Sequence, residues 1–317
     1  MAKSDLFSFG FYCDFYQKIA VMEKQNLILK LNEVGIGDIE IVGGKNASLG
    51  EMLQHLTMLG VNIPTGFIIT AEAYRQFIEF NNIRESIISI INSIDLDNLE
   101  SLRRCGLQVR ELICKGKFEL NFSNQIEQAY VELSELYGVN QVDVAVRPSA
   151  TAEDLPDASF AGQQETFLNI NGVDELLSAV RKCFASLFTD RAISYRQSFG
   201  YDHFQIGLSV CIQKMVRSDL AASGVAFSLD TESGFRDAVV INGSYGLGEM
   251  IVQGSVSPDE FIVFKPTLKF GFPSIIEKKL GVKDKKMVYG QSSDERVKIV
   301  PTSAAELDNF CVSEEII

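Results

Sequence analysis

An α+β fold in two parts follows from three features of the 317-residue sequence. Apolar residues recur at helical spacing through most of the chain before residue 205. Beyond it the period switches to the alternation of half-buried strands. Clusters of Gly, Ser, Asp and Pro then punctuate the text at short intervals, as turns between antiparallel strands do. The length fits about two domains. A hydrophobic content of 46% with 22% charged residues supports a packed core.

Residues 1–26 read as a variable N-terminal extension, and Met22 is a second candidate start. The stretch is aromatic-rich, but Asp5, Asp14 and Lys18 interrupt it, so it lacks the apolar centre of a secretory signal. NLILKLNEVG then reads as a strand and turn. In the following segment Leu49, Met52, Leu53, Leu56 and Leu59 fall at helical spacing, with Gly60 as a stop and Pro64 beyond. PTGFIIT is a strand leading into the helix AEAYRQFIEFNN. Residues 83–140 are amphipathic helices, and 142–147 is a strand. A wide apolar stripe from Leu176 to Phe188 marks another helix. Ile206, Leu208, Val210 and Ile212 share one strand face. GVAFSLD, DAVVINGSYGLGE and DEFIVFKP are further strands, and EKKLGVKDKKMVYG reads as a charged hairpin.

The net charge of -13 argues against a nucleic-acid partner, which needs a basic surface. Six scattered cysteines without a C-x-x-C pair, and only two histidines, argue against a zinc site. They fit reduced thiols in a cytoplasmic protein. No run of 18 apolar residues is present, so no membrane span is expected.

Four stretches could carry chemistry. GGKNAS puts Gly43, Gly44 and Lys45 at a helix entrance, where backbone N–H groups and a lysine suit an anion. It is not the G-x-x-x-x-G-K-S/T loop, and a plain turn is the simpler reading. Arg147 ends a strand, where a guanidinium can grip a phosphate with two hydrogen bonds. The segment after it is small and polar, suited equally to a lid over a polyanion and to a surface loop. The bend Gln213–Arg217 reads as an ordinary strand connection or as a hinge holding a purine. Glu249, among glycines after a strand, reads as a helix-start acid or as part of a phosphate or metal turn. His55 and His203 lack a neighbouring Cys, Ser or paired acid in sequence, so both read as structural.

Taken together, VGGKNASLGEM, IPTGF, RPSATAEDLPDASFAGQQETFLNI, ASLFTDRAISYR, QKMVRSDLAASGVAFSLDTESGF and YGLGEMIVQGSVSPDEFIVFKPTL resemble the N-terminal nucleotide-binding domain of the phosphoenolpyruvate synthase (pyruvate, water dikinase) family. The resemblance covers roughly residues 27–317. Pyruvate, phosphate dikinase and rifampin phosphotransferase share the domain; TESGF and VQGSVSPDEF favour the synthase. It implies an ATP-grasp fold, with ATP and Mg²⁺ held between a first subdomain, 27–205, and a mainly antiparallel second one, 206–317. It also implies conversion of pyruvate, ATP and water to phosphoenolpyruvate, AMP and phosphate through a phosphohistidine on another domain. By motif, Lys45 and Arg147 would contact ATP phosphates. Ser159, Ala161, Gly162, Gln163, Gln164, Glu165 and Thr166 would form the loop over them, Gln213, Met215 and Val216 would line the adenine pocket, and Glu249 would join the site. Arg191 and Arg196 match the motif without an assigned role.

Two departures qualify this. The family has serine where this chain has Pro148, which removes a hydroxyl and an N–H. The chain also ends at CVSEEII, so the resemblance implies a domain incomplete at its C-terminal end. Its magnesium ligands, the phosphohistidine and the pyruvate-binding domain are expected beyond Ile317. Pyruvate would be reached only through those domains, and a homo-oligomer only through the full-length protein. The expected function is therefore the nucleotide-binding part of such a synthase. The alternatives are a catalytically inactive ATP-binding fragment and the equivalent domain of pyruvate, phosphate dikinase.

Overall fold

The computed structural model describes residues 26–95, 98–151, 165–290 and 295–317, with the backbone of 154–155 and 158–159. The chain divides into two compact units, before and after the Met215–Val216 junction.

The first unit runs β1 (Ile28–Lys30), α1 (Ile39–Val42), α2 (Gly44–Leu56), β2 (Gly66–Ile69), α3 (Ala71–Phe80), α4 (Arg84–Asn92), α5 (Leu99–Lys115) and α6 (Leu120–Leu136). It continues with β3 (Val144–Ala150), the short strands β4 (Asp154–Leu155) and β5 (Ala158–Ser159), β6 (Phe167–Ile170), α7 (Val173–Ser186), α8 (Asp190–Phe199) and β7 (Leu208–Lys214). Its main sheet has the order β1-β2-β7-β3-β6, antiparallel throughout.

The period-2 alternation of the strands divides the side chains between two layers. Phe67, Ile69, Val144, Val146, Val210 and Ile212 face the larger core, with Tyr74, Val109, Ile126, Val180 and Phe184 from the helices. The intervening residues Ile68 and Cys211 face a smaller cluster with Val42 and Ala47 of α1 and α2. Arg147, opposite Cys211 in the β3–β7 register, therefore shares the face that carries α2.

The expected stripe on α2 is not its buried face. Asn46, Ala47 and Gly50 are buried; Leu49 and Leu53 are half-buried, and Met52 and Leu59 are exposed. Small residues win because the helix lies too close to the preceding turn: a methyl group on Gly50 would come 2.2 Å from the Val34 carbonyl oxygen. The stripe on α7 is buried as read, with Leu177 partly so.

Pro148 sits inside β3 without breaking it. Met215 N–H donates to the Asp143 carbonyl and Thr151 N–H to the Gly207 carbonyl, so the odd positions of β3 form the hydrogen-bonded pairs with β7. Pro148, opposite Val210, falls at a non-hydrogen-bonded position. Its nitrogen faces the β6 side, where pairing ends at Val146–Phe167. No ladder bond is lost.

The second unit contains β8 (Ala222–Phe227), β9 (Ala238–Tyr245), α9 (Glu249–Val252), β10 (Asp259–Phe264), α10 (Lys265–Leu268), β11 (Ile275–Lys279), β12 (Lys285–Tyr289), β13 (Val297–Pro301) and α11 (Ala304–Leu307). Its four-stranded sheet, β11-β10-β9-β8, is antiparallel. β7 follows residue 205 but is the central strand of the first sheet, and the first compact unit runs to Met215. One expectation here needs correction. EKKLGVKDKKMVYG is not a hairpin: β11 pairs with β10, and β12 with β13. Between them Lys283, with φ 46°, buries its ammonium against the buried Asp259 carboxylate. Asp259 Oδ1 also accepts from Gly281 N–H at 2.8 Å and Oδ2 from Cys311 N–H at 2.7 Å. Among the described residues no helix is long and apolar enough to cross a membrane.

Candidate functional site

The site begins at the junction of α1 and α2. Gly43 has φ 76°, a left-handed conformation suited to glycine. A methyl group there would lie 2.3 Å from Ser149 Oγ and 2.8 Å from the Ser149 and Ala150 carbonyl oxygens. The start of α2 thus abuts the end of β3. Asn46 locks the contact: its Nδ2 donates to Ser209 Oγ at 3.0 Å, and that hydroxyl lies in reach of the Val42 and Ser149 carbonyl oxygens. Asn46 and Ser209 are buried, where satisfied hydrogen bonds hold geometry well. Lys45, between Gly43 and Asn46, stays exposed.

This packing brings Lys45 and Arg147 onto one cavity of about 460 Å³, with Ser48, Met52, Thr166 and Cys211 on its walls. Two cations and two hydroxyls face an apolar side, a composition suited to an anionic ligand carrying an apolar part. Burial pushes the Cys211 thiol up to about 12, with the Arg147 charge opposing. Cys211 therefore serves as a neutral wall rather than a nucleophile.

The other residues expected at the site are placed variously. Thr166 lines the cavity; Glu165, beside it, is exposed. Ala161, Gly162, Gln163 and Gln164 lie outside the described residues, and of Ser159 only the backbone, in β5, falls within them. Gln213 lies two residues beyond Cys211 on the same strand face, but its side chain donates to the Pro64 carbonyl at 2.8 Å. The Met215 side chain is buried, and its N–H is taken by Asp143. Neither lines the Lys45–Arg147 cavity. Val216 opens the second unit, and Glu249 begins α9 there, accepting from Gln253 at 2.7 Å. As site residues, Asn46, Ser48, Met52, Ser209 and Cys211 are not marked by the sequence motifs. The signal for Asn46 was present: a polar residue on the buried side of a first helical turn needs a partner.

The two histidines have structural surroundings. His55 Nε2 lies 3.1 Å from Glu51 Oε2 on the surface of α2. His203 Nδ1 accepts from Arg196 Nε at 2.9 Å, which fixes the neutral tautomer protonated on Nε2. Burial and then the Arg196 charge lower its pKa to about 4. Arg196 is fully buried, donates to the Leu187 carbonyl at 2.6 Å and lies 5.3 Å over the Phe188 ring. Desolvation lowers its pKa to about 10. Arg196 is thus a core residue, whereas Arg191 is exposed.

For Mg²⁺ the fit is poor. Among the described residues no group of three or more His, Cys, Asp or Glu is placed to hold a metal ion. The cavity walls supply cations and hydroxyls rather than the carboxylates a hard cation takes.

The chain is 56% identical over 297 residues to a protein of Aquifex aeolicus named phosphoenolpyruvate synthase, covering 94% of this chain and 35% of that protein. Proteins of the same name from Synechocystis and Escherichia coli are 51% and 48% identical, over 94% and 91% of this chain and 37% and 36% of theirs. The chain thus spans little more than a third of the length of these three relatives. Residues 39–317 match the family described as "Pyruvate phosphate dikinase, AMP/ATP-binding domain", and because that match takes in most of the sequence, the chain belongs to this family.

Proposed function

We propose that this chain is the nucleotide-binding part of a phosphoenolpyruvate synthase with an ATP-grasp fold, and that the Lys45–Arg147 cavity receives the polyphosphate of ATP. One observation carries the reading. The motif lysine and the motif arginine, 102 positions apart in sequence, line the same cavity. Phosphoryl transfer depends on positioning and on neutralising phosphate charge, and a lysine with a guanidinium supplies both. Lys45 offers a point charge at the start of α2; Arg147 offers a planar fork from a strand fixed on both sides. Ser48 and Thr166 add hydroxyl donors to phosphate oxygens.

The whole reaction would convert ATP, pyruvate and water to AMP, phosphoenolpyruvate and phosphate, by way of a histidine that carries the phosphoryl group. Neither histidine of this chain fits that role: Arg196 occupies His203 Nδ1, and His55 pairs with Glu51 away from the cavity walls. ATP binding without turnover is the reading for the chain by itself.

Calorimetry with ATP tests the proposal. Lys45→Gln and Arg147→Gln are each expected to weaken binding by about tenfold or more, as loss of a charge-assisted phosphate contact does. Wild-type affinity in both variants would remove the cavity from nucleotide binding. With radiolabelled ATP, the chain is expected to incorporate no phosphoryl group at His55 or His203.

A further inference from the structure

A second concavity, of about 400 Å³, lies on the helical layer of the first unit, lined by Cys114, Lys115, Lys117, Phe118, Leu177 and Arg181 among others. It sits where α5 ends and α6 begins, against α7. None of its walls belongs to the Lys45–Arg147 cavity.

Three cations line this hollow in a chain of net charge -13. Lys115 has one acidic neighbour, Glu111, at 3.4 Å. Among the described residues Lys117 and Arg181 make no ion pair, although Arg75, Arg84, Arg103, Arg110 and Arg217 all do. A concave surface of one sign concentrates counter-ions.

The hollow is also held in shape. Asn81 clamps the backbone of Lys117 from both sides, accepting from its N–H at 2.8 Å and donating to its carbonyl at 2.9 Å. Gly116 is packed so closely that a methyl group would meet Phe77 at 2.5 Å. Phe118 is fixed by Phe77, Phe122 and Phe184, with ring centroids 5.2, 5.7 and 6.3 Å away. The Arg181 guanidinium lies 5.5 Å from the Phe118 ring centre, which orients its fork. A fixed guanidinium and an ammonium beside an aromatic and an aliphatic side chain match a phosphate ester: two cations for the dianion, Phe118 and Leu177 for its organic part.

We infer that this concavity binds a small organic phosphate, separately from any nucleotide. The inference does not rest on the ATP reading. The test titrates phenyl phosphate into the full chain carrying Lys45→Gln and Arg147→Gln, so that uptake by the other cavity does not count. Saturable binding is expected, weakened at least tenfold by Arg181→Gln and several-fold by Lys117→Gln. Bound ligand is also expected to slow alkylation of Cys114, which lines the hollow. Circular dichroism checks that each variant is folded; Lys117 is exposed, so its variant decides if Arg181→Gln is not. Absence of saturable binding, equal affinity after both substitutions, or no protection of Cys114 would overturn the inference.

Discussion

A methyl group at position 43 would strike Ser149 and two carbonyl oxygens while forcing an L-residue into the left-handed region. Gly43→Ala is therefore expected to destabilise the first unit by ~2 kcal/mol or more, with ATP affinity falling alongside; urea denaturation checks the first part. The sequence leaves this glycine between a plain turn and an anion-binding helix entrance. The structure gives an additional reason, the close approach of α2 to β3. His203 was read as structural, but its partner is spatial and could not be seen in the text. Its native pKa of about 4 lies below the unfolded value near 6.5, so native His203 stays neutral where the unfolded chain takes up a proton. Its contribution is complete above about pH 6.5 and is lost as pH falls toward 4, by ~1–2 kcal/mol after solvent screening. His203→Asn, which keeps an acceptor for Arg196, should flatten that part of a stability-against-pH curve.

Among the elements, the patterns of period 2 and 3.6 found most strands and helices, because burial on one face writes that period directly. They failed where contact distance outweighed hydrophobicity, as on α2 with Ala47 and Gly50 inward. They failed again at Lys283, which lies in the stretch read as a charged hairpin. Its ammonium instead joins β10 to the segment before β12 through Asp259, which also holds Cys311. Lys283→Met is expected to cost ~3–5 kcal/mol, because a buried carboxylate loses its cation. Adding Asp259→Asn should recover part of that loss. Equilibrium unfolding of the two variants measures both effects. Burial of the Cys311 thiol pushes its pKa up to about 12, with Asp259 adding to the rise, so Cys311 stays protonated.

At the level of the whole molecule, the family was legible because long motif blocks survive intact; that Lys45 and Arg147 of those blocks line one cavity is a finding of the fold. The end of the first compact unit at Met215 was not written in the period. A switch from helical to alternating period marks a change of element type, and β7 shows that such a change need not be a change of domain. A fragment of residues 27–215 is expected to unfold in one cooperative urea transition, whereas 27–205, lacking the central strand, should show none. Equal cooperativity in the two would contradict the sheet order.

That order also bears on how the polypeptide is made. The ribosome delivers β1 with β2 early, and β3 with β6 about a hundred residues later, as two separate ribbons. Neither ribbon can join the other until β7 emerges and slides between them. At roughly 5–20 residues per second the interval after β6 lasts a few seconds. Throughout it the inner edges of β2 and β3 stand open to any passing strand. Cys211, the floor beneath Lys45 and Arg147, arrives on that same late strand. The nascent chain therefore completes the Lys45–Arg147 cavity and closes these two open edges in a single event.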